Sequence, residues 1–371
     1  MLQEEFFKVI TTHYDAKLPF VAYRKPDNES VLALLQKDTQ LHRCEDYNES
    51  GFVFASFQNT EQPLIFPLDS SEQIRLNKFE TELFETKVGS ESDNDTQKQA
   101  HMALVSKGID AITSGELQKV VLSRAEHISI SNSDPIELFK RLLSLYPSAM
   151  VYIWFHPKLG LWLGATPETL VKAEGRRFQT MALAGTQPFN GKLEVDWDNK
   201  NIAEQDVVTS YIEKELKSYT SQLTVGDVQT VRAGNLLHLR SEISGILMDE
   251  DVNTLISVLH PTPAVCGFPT SIAKDFIITN ENYDREYYSG FLGELNFKTS
   301  KQRNTNRRNV ENNAYTSIKN SSALFVNLRC MQLKDQEAII YVGGGITKDS
   351  DPESEWFETI NKAQTMKRVL S

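Results

Sequence analysis

The order in which apolar segments follow one another constrains this chain more than any other feature. Beyond residue 118, short β-branched or apolar runs arrive in series: KVVLSRAEHISI, AMVYIWFH, LWLGAT, ETLVKAEG and RFQTMALAG, then EYYSGFLGELNF, ALFVNLRCMQL and AIIYVGGGI. Gly or Pro turns separate several of them, which is how strands read in a sequence. Helix-period segments interrupt the series instead of alternating with it. TQKQAHMALVSKGIDAITSGEL reads as an amphipathic helix ending near Ser114 and Gly115, and SDPIELFKRLLSLYP as a helix with Asp134 at its N-cap and Pro135 at its first position. NKNIAEQDVVTSYIEKELKSYTSQL and DPESEWFETINKAQTMKRVL read as two more. A doubly wound parallel sheet requires regular strand-helix alternation. The observed order predicts instead an α/β (α+β) chain, with large antiparallel or mixed sheets wrapped by helices. The polar, turn-rich KVGSESDNDTQKQ (residues 87–99) reads as a surface loop dividing an N-terminal part, 1–95, from the main body, 96–371. In the N-terminal part GFVFASF reads as a buried strand, while SVLALLQ suits a short helix or a strand.

At 371 residues, 40% hydrophobic and 24% charged, the chain can bury a sizeable core in one large domain or two ordinary ones. A net charge of -11 argues against nucleic acid or an anionic membrane as partner, but not against a small anion in a pocket of locally reversed sign. Cys44, Cys266 and Cys330 are odd in number and far apart, so they read as buried reduced thiols with neither a disulfide framework nor a metal motif. The opening MLQEEFFKVITTHYDAK carries early acids and no long apolar run, which fits neither a secretory signal nor a membrane span, so a cytoplasmic protein is predicted.

Five segments could carry chemistry. In the last helix Glu355, Glu358 and Lys362 follow the i, i+3, i+7 spacing and share one face. Such a face is commonly solvated. Here Trp356 and Phe357 flank the acids, and VGGGITKDSD precedes the helix as a glycine-rich turn able to bring backbone N–H groups to an anion. Carboxylates also belong to the ligand set magnesium prefers. Glu204 in NIAEQDVV is a single acid on an acidic helix, meaningful only if the fold sets it opposite Glu358. In GATPETL, Gly164 and Pro167 bracket a tight turn before Glu168, which is either a surface residue or, in a closed pocket, a carboxyl of raised pKa suited to donating a proton. Lys119 heads an apolar strand; it is either solvated or, if desolvated, a candidate base. LHPTPAVCGFP (259–269) is a rigid irregular loop of the kind that walls a pocket.

Taken in order, KVVLSR, GATPETL, LAGT, IAEQ, LHPTPAVCGFP, REYYSG, LRC, GGGI and DPESEWFETINKA resemble the chorismate-utilising enzymes. That family includes isochorismate synthases, salicylate synthases and the large subunits of anthranilate and aminodeoxychorismate synthases. The resemblance covers about residues 97–371 and implies two packed, mostly antiparallel sheets surrounded by helices, with the active site between the sheets. It implies a magnesium ion on Glu204 and Glu358, with Glu355 reaching it through water, and chorismate as substrate. It places Arg329, Gly343, Gly345 and Lys362 at the enolpyruvyl carboxylate, His238, Gly185 and Thr186 at further pocket positions, and Tyr288, Ala264 and Val265 along the ring. Lys119 marks the water-using members, since water needs a base to become a competent nucleophile. The implied reaction is the reversible conversion of chorismate to isochorismate, with Lys119 as base and Glu168 as acid. The salicylate synthases, which go on to eliminate pyruvate, keep the same lysine and stay open as the nearest alternative. Ammonia-using synthases, and a non-catalytic chorismate-binding role, stand behind them. No LLES-like tryptophan-binding motif is present near the N-terminus, no glutaminase partner is expected, and a monomer is expected; both menaquinone and siderophore synthesis remain open as destinations. Two residues depart from the family pattern. Gln205 stands where the family has His, and Glu294 is an unexpected acid, expected at the surface.

Overall fold

The computed structural model describes residues 1–81, 84, 95–130, 134–233, 236–301 and 317–370. Two antiparallel sheets of nine strands each dominate it. The first runs, edge to edge, Gly267–Phe268, Lys119–Ser129, Glu337–Ile346, Cys330–Lys334, Gly160–Thr166, Met150–His156, Phe20–Arg24, Val31–Gln36 and Ser71–Leu76. The second runs Thr220–Val225, Leu236–Leu247, Arg177–Pro188, Thr169–Glu174, Ser317–Val326, Phe291–Lys301, Gly51–Ala55 and Leu64–Pro67, with Gln229–Ala233 also paired to Leu236–Leu247. Strands from residues 1–81 thus belong to both sheets.

Aromatic side chains fill the space between the sheets. Tyr23, Tyr152, Trp154, Trp162 and Tyr341 of the first meet Phe52, Phe54, Leu292 and Phe325 of the second. The outer faces bury against helices. Gln3–Asp15, Pro135–Leu145 and Pro352–Leu370 cover the first sheet, and Asn199–Lys217 and Val252–Leu259 cover the second. Helices Asp95–Thr113 and Thr270–Asn280 pack on the edge of the first sheet around Val120, Leu122 and Ile346. Because both faces of each sheet are covered, a strand such as Phe20–Arg24 or Gly51–Ala55 is buried at every position, the pattern expected when no face meets water. Asp134 caps its helix through Ile136 N–H with Pro135 at the first position, as its sequence predicts.

SVLALLQ resolves as strand, one of its two readings. Three segments differ from their sequence reading. The helix begun by the Asp198 cap stops at Lys217, and Thr220–Val225 turns back as a strand against Leu236–Leu247. EYYSG is a turn, with Glu286 and Ser289 at positive φ, and the strand starts only at Phe291. ALFVNLRCMQL is two strands that belong to different sheets, broken at Asn327 to Arg329. The loop reading of residues 87–99 falls largely outside the described residues; its end, from Asp95, is helix.

Two of the points at which the chain crosses between the sheets lie side by side. Pro167 and Glu168 link Gly160–Thr166 of the first sheet to Thr169–Glu174 of the second. Asn327, Leu328 and Arg329 return from Ser317–Val326 to Cys330–Lys334. The Val326 N–H donates to the Glu168 carbonyl at 3.0 Å, and the Ala165 N–H donates to the Arg329 carbonyl at 3.0 Å. Buried Asn327 fixes the junction, accepting from Tyr152 Oη at 2.6 Å and donating to the Tyr287 carbonyl at 2.9 Å. The turn expected across Gly164–Pro167 is therefore a sheet crossing. Gly164 itself lies inside a strand, where a Cβ would come 2.6 Å from the Tyr152 ring.

Candidate active site

The two crossings place Glu168 and Arg329 in one cavity between the sheets, of about 740 Å³. Of the residues singled out from the sequence, Gly185, Thr186, Glu204, His238, Ala264, Val265, Tyr288, Gly343, Gly345, Glu358 and Lys362 line the same cavity. Lys119 and Glu355 do not line it, but each stands directly behind residues that do.

The three glycines hold this arrangement open. They belong to strand Glu337–Ile346, as the reading of AIIYVGGGI has it and not to the turn that precedes the last helix, with Gly343, Gly344 and Gly345 opposite Ser123, Leu122 and Val121. Pairing to the neighbour on the other side ends at Tyr341 with Cys330, so this strand edge is bare along the glycines. A Cβ on Gly345 would lie 2.2 Å from Glu204 Oε1 and 3.1 Å from Lys119 Cε. On Gly344 it would lie 3.2 Å from Glu355 Oε2 and 3.3 Å from Glu358 Oε1. Missing side chains thus create the space into which three carboxylates press.

Each carboxylate has a lysine. Lys119 Nζ is 2.9 Å from Glu204 Oε1, an ion pair lying off the hydrogen-bond direction, and the lysine is fully buried. Lys362 Nζ donates to Glu358 Oε1 at 2.6 Å and to the Gly343 carbonyl at 2.8 Å. Lys200 donates to Glu355 Oε1. Lys200 was not foreseen, although it stands four residues before Glu204 on the same helix and hence on the same face. Burial and the neighbouring Glu358 push the Glu355 carboxyl above its usual range against the pull of Lys200. Burial also pushes Glu358 up, but Lys362, Lys200 and Arg329 outweigh it and hold that carboxyl low.

Glu204, Glu355 and Glu358 could hold a hard cation by donor type, and Glu355 Oε2 is buried with no hydrogen-bond partner among the described residues. As placed, drawn to their lysines, no three His, Cys, Asp or Glu side chains among the described residues converge on one point. The residues fit the ion by chemistry and by an orphaned oxygen.

Glu168 is 5% exposed, and burial raises its carboxyl to about 7, against the lowering effect of Lys119, Lys362 and Arg329. It is placed to keep a proton near neutrality. Burial, then the charge of Arg329, drives the His238 imidazole down to about 3, so it is neutral. Its Nδ1 lies 2.8 Å from the Gly185 carbonyl, which assigns the proton to Nδ1 and leaves Nε2 a bare buried acceptor. Gly185 and Thr186 form a bulge in strand Arg177–Pro188, with Gly185 at φ 68 and Thr186 N–H donating to Asn201 Oδ1 at 2.9 Å.

The proline-rich loop packs as a wall. Gly267, at φ 138, passes so close to Lys119 that a Cβ would come 2.4 Å from the lysine's carbonyl oxygen. Arg285 of REYYSG, another unforeseen residue, ties the wall together. Its guanidinium is buried and pairs with Glu281 at 2.6 Å, and it donates to the carbonyls of Val121 and Val265 and to Ser289 Oγ. Gln205, in place of the family's histidine, lies beneath the cavity and donates to the Ala182 carbonyl at 3.1 Å. Glu294 is not at the surface as expected. It is buried and bonded to Tyr23 Oη at 2.8 Å and Lys25 Nζ at 2.7 Å. The three cysteines are free and buried, as expected.

Comparison with known proteins defines the class. A family model described as "Chorismate binding enzyme" matches residues 52–301, and a second chorismate-binding enzyme model matches 314–368. The chain belongs to the chorismate-binding enzymes. Among its relatives, isochorismate synthase DhbC of Bacillus subtilis is 28% identical over 287 residues, covering 72% of this chain and 66% of the relative. Isochorismate synthase EntC of Escherichia coli is 30% identical over 282 residues, again 72% and 66%. The matched stretch therefore spans just under two thirds of these relatives. The DhbC structure from Bacillus anthracis superposes with a TM-score of 0.76 at 22% identity, covering 95% of this chain and 96% of that one. The fold is the one expected.

Proposed function

We propose that this protein is an isochorismate synthase, converting chorismate reversibly to isochorismate with magnesium. The observation that carries the reading is that fully buried Lys119 stands directly behind the cavity lined by Glu168, which keeps its proton to about pH 7, near enough for the lysine's charge to act on that carboxyl. Lys119 takes a proton from the water that attacks C2 of the ring. The double bonds shift, and Glu168 gives its proton to the departing C4 hydroxyl. A general acid and a general base each contribute about 10²–10⁴-fold. Glu204 and Glu358, with Glu355 behind them, would hold the magnesium. When bound, the ion supplies a Lewis-acid contact that fixes the ring carboxylate and stabilises its charge. Arg329, Lys362 and the bare strand edge at Gly343 and Gly345 receive the enolpyruvyl carboxylate. Neutral His238 cannot offset that anion and serves by shape and hydrogen bonding. We take the protein to work in the cytoplasm, as a monomer, without a glutaminase subunit.

The deciding experiment is product identification by chromatography after incubation with chorismate and magnesium. Isochorismate should accumulate. Salicylate together with pyruvate, or anthranilate when ammonium is supplied, would each replace this reading.

A further inference from the structure

A second cavity, of about 850 Å³, lies against the first and shares Pro167, Leu183, His238 and Arg329 with it as a common wall. Its remaining surface combines apolar side chains, including Met181 and Val231, with two further arginines, Arg232 and Arg240. Arg240 stands two residues from His238 on strand Leu236–Leu247 and so points to the same face. Its Nε is buried without a hydrogen bond, and among the described residues neither Arg240 nor Arg329 has an ion pair or a side-chain hydrogen bond. Arg232 lies at the rim, 3.9 Å over the Phe189 ring. Asp27 is the one acid lining the cavity. The contrast with the adjoining site is sharp, since Lys119, Lys200 and Lys362 there each have a carboxylate. In a chain of net charge -11, two guanidiniums without an ion pair facing one hollow, Arg329 sensing only the more distant carboxylates of Glu168 and Glu358 in the first cavity, are a local excess of positive charge. A guanidinium deprived of water and of an acceptor is unfavourable, and its planar fork matches a carboxylate.

We propose that this cavity is a second anion site, adjoining the candidate active cavity and sharing Arg329 with it, and that it takes a small ring-bearing carboxylate. The carboxylate meets Arg240 and Arg329, and the ring lies against Met181, Leu183 and Val231. Benzoate tests this directly by isothermal titration calorimetry, with benzamide as the uncharged control. Benzoate should bind and benzamide should not. Arg240→Gln should weaken benzoate by about tenfold or more, the loss expected for one charge-assisted hydrogen bond. Met181→Trp, which fills the hollow from its apolar side, should remove binding while thermal unfolding shows an intact fold. Lys362→Gln, which alters only the first cavity, should still bind benzoate. Failure of the wild type to bind at millimolar benzoate overturns the proposal. So does binding that survives both Arg240→Gln and Met181→Trp, or that is lost on Lys362→Gln and kept on Arg240→Gln. The titration reads binding without turnover, so its outcome is separate from the reaction assigned above.

Discussion

Replacing Gly345 by alanine adds one carbon atom at the point where Glu204 and Lys119 meet. The new Cβ would lie 2.2 Å from Glu204 Oε1, 3.0 Å from its Cδ and 3.1 Å from Lys119 Cε, against the 3.4 Å at which ordinary contact begins. The carboxylate must retreat by the difference, about 1.2 Å. It can, because the obstructing atoms end two flexible side chains and Gly345 sits in extended strand, so the backbone accepts alanine. Folding should therefore survive, and the smaller conformational freedom of the unfolded chain contributes about 0.4–1 kcal/mol in favour of the variant. Turnover should not survive intact, since displacing catalytic groups by about 1 Å costs on the order of 10²-fold. Gly344→Ala is the internal control. Its nearest contacts, 3.2 and 3.3 Å, need only a few tenths of an ångström of adjustment, so it should lose far less. The assay is initial rate with chorismate and magnesium, alongside a melting curve for each variant. A Gly345→Ala protein with wild-type turnover, or equal losses at Gly344 and Gly345, would refute the claim that bare strand is what accommodates the carboxylates.

Further outcomes can be stated briefly. Glu168→Gln should fold and lose about 10²–10⁴-fold in kcat, as removal of a general acid does. Because burial raises the Glu168 carboxyl from 4.5 to about 7, the wild type keeps this residue's full contribution to stability below pH 4.5 and loses it as the pH rises through 7, so Glu168→Gln should flatten the stability profile over that window by up to about 3 kcal/mol in denaturant titrations. Lys119→Ala should abolish product formation while retaining chorismate binding in a calorimeter, and undiminished water addition would remove the proposed base. Arg285→Gln leaves Glu281 buried and unpaired and should destabilise the fold by about 3–5 kcal/mol, with a lower melting temperature; replacing both residues by apolar ones should recover much of it.

Local signals in the sequence were legible, and relations between distant segments were not. The face made by Glu355, Glu358 and Lys362 depends only on helical periodicity, so their spacing reveals it. The Asp134 cap and the rigid loop at 259–269 are legible for the same reason. Lys119 and Glu204 look ordinary until another segment covers them, and only the family resemblance gave them definite roles. No glycine or proline marks the break at Asn327 to Arg329, because Asn327 and a left-handed Arg329 make the change of sheet through contacts with distant residues. The glycine run reads both as the end of strand AIIYVGGGI and as a turn before the helix, because a local reading cannot see that the helix will press carboxylates onto the strand. The N-terminal strands were faint because strands buried on both faces lose their alternation.

The sheet order also sets a schedule for synthesis. Strands Lys119–Ser129 and Gly160–Thr166 are both held from the centre of the first sheet by Cys330–Lys334 and Glu337–Ile346, which leave the ribosome much later. At about 5–20 residues per second, the roughly 160 residues from the earlier pair to the later one take on the order of 10–30 s. For that time Lys119–Ser129, whose two sheet neighbours both come later, stands apart from the strands already paired beside Gly160–Thr166, and each leaves an apolar strand edge without its neighbour, which is where a foreign strand can add. This sheet is closed from its middle, so the nascent chain depends on something else, a chaperone or its own early helices, to shield those edges until the late strands arrive.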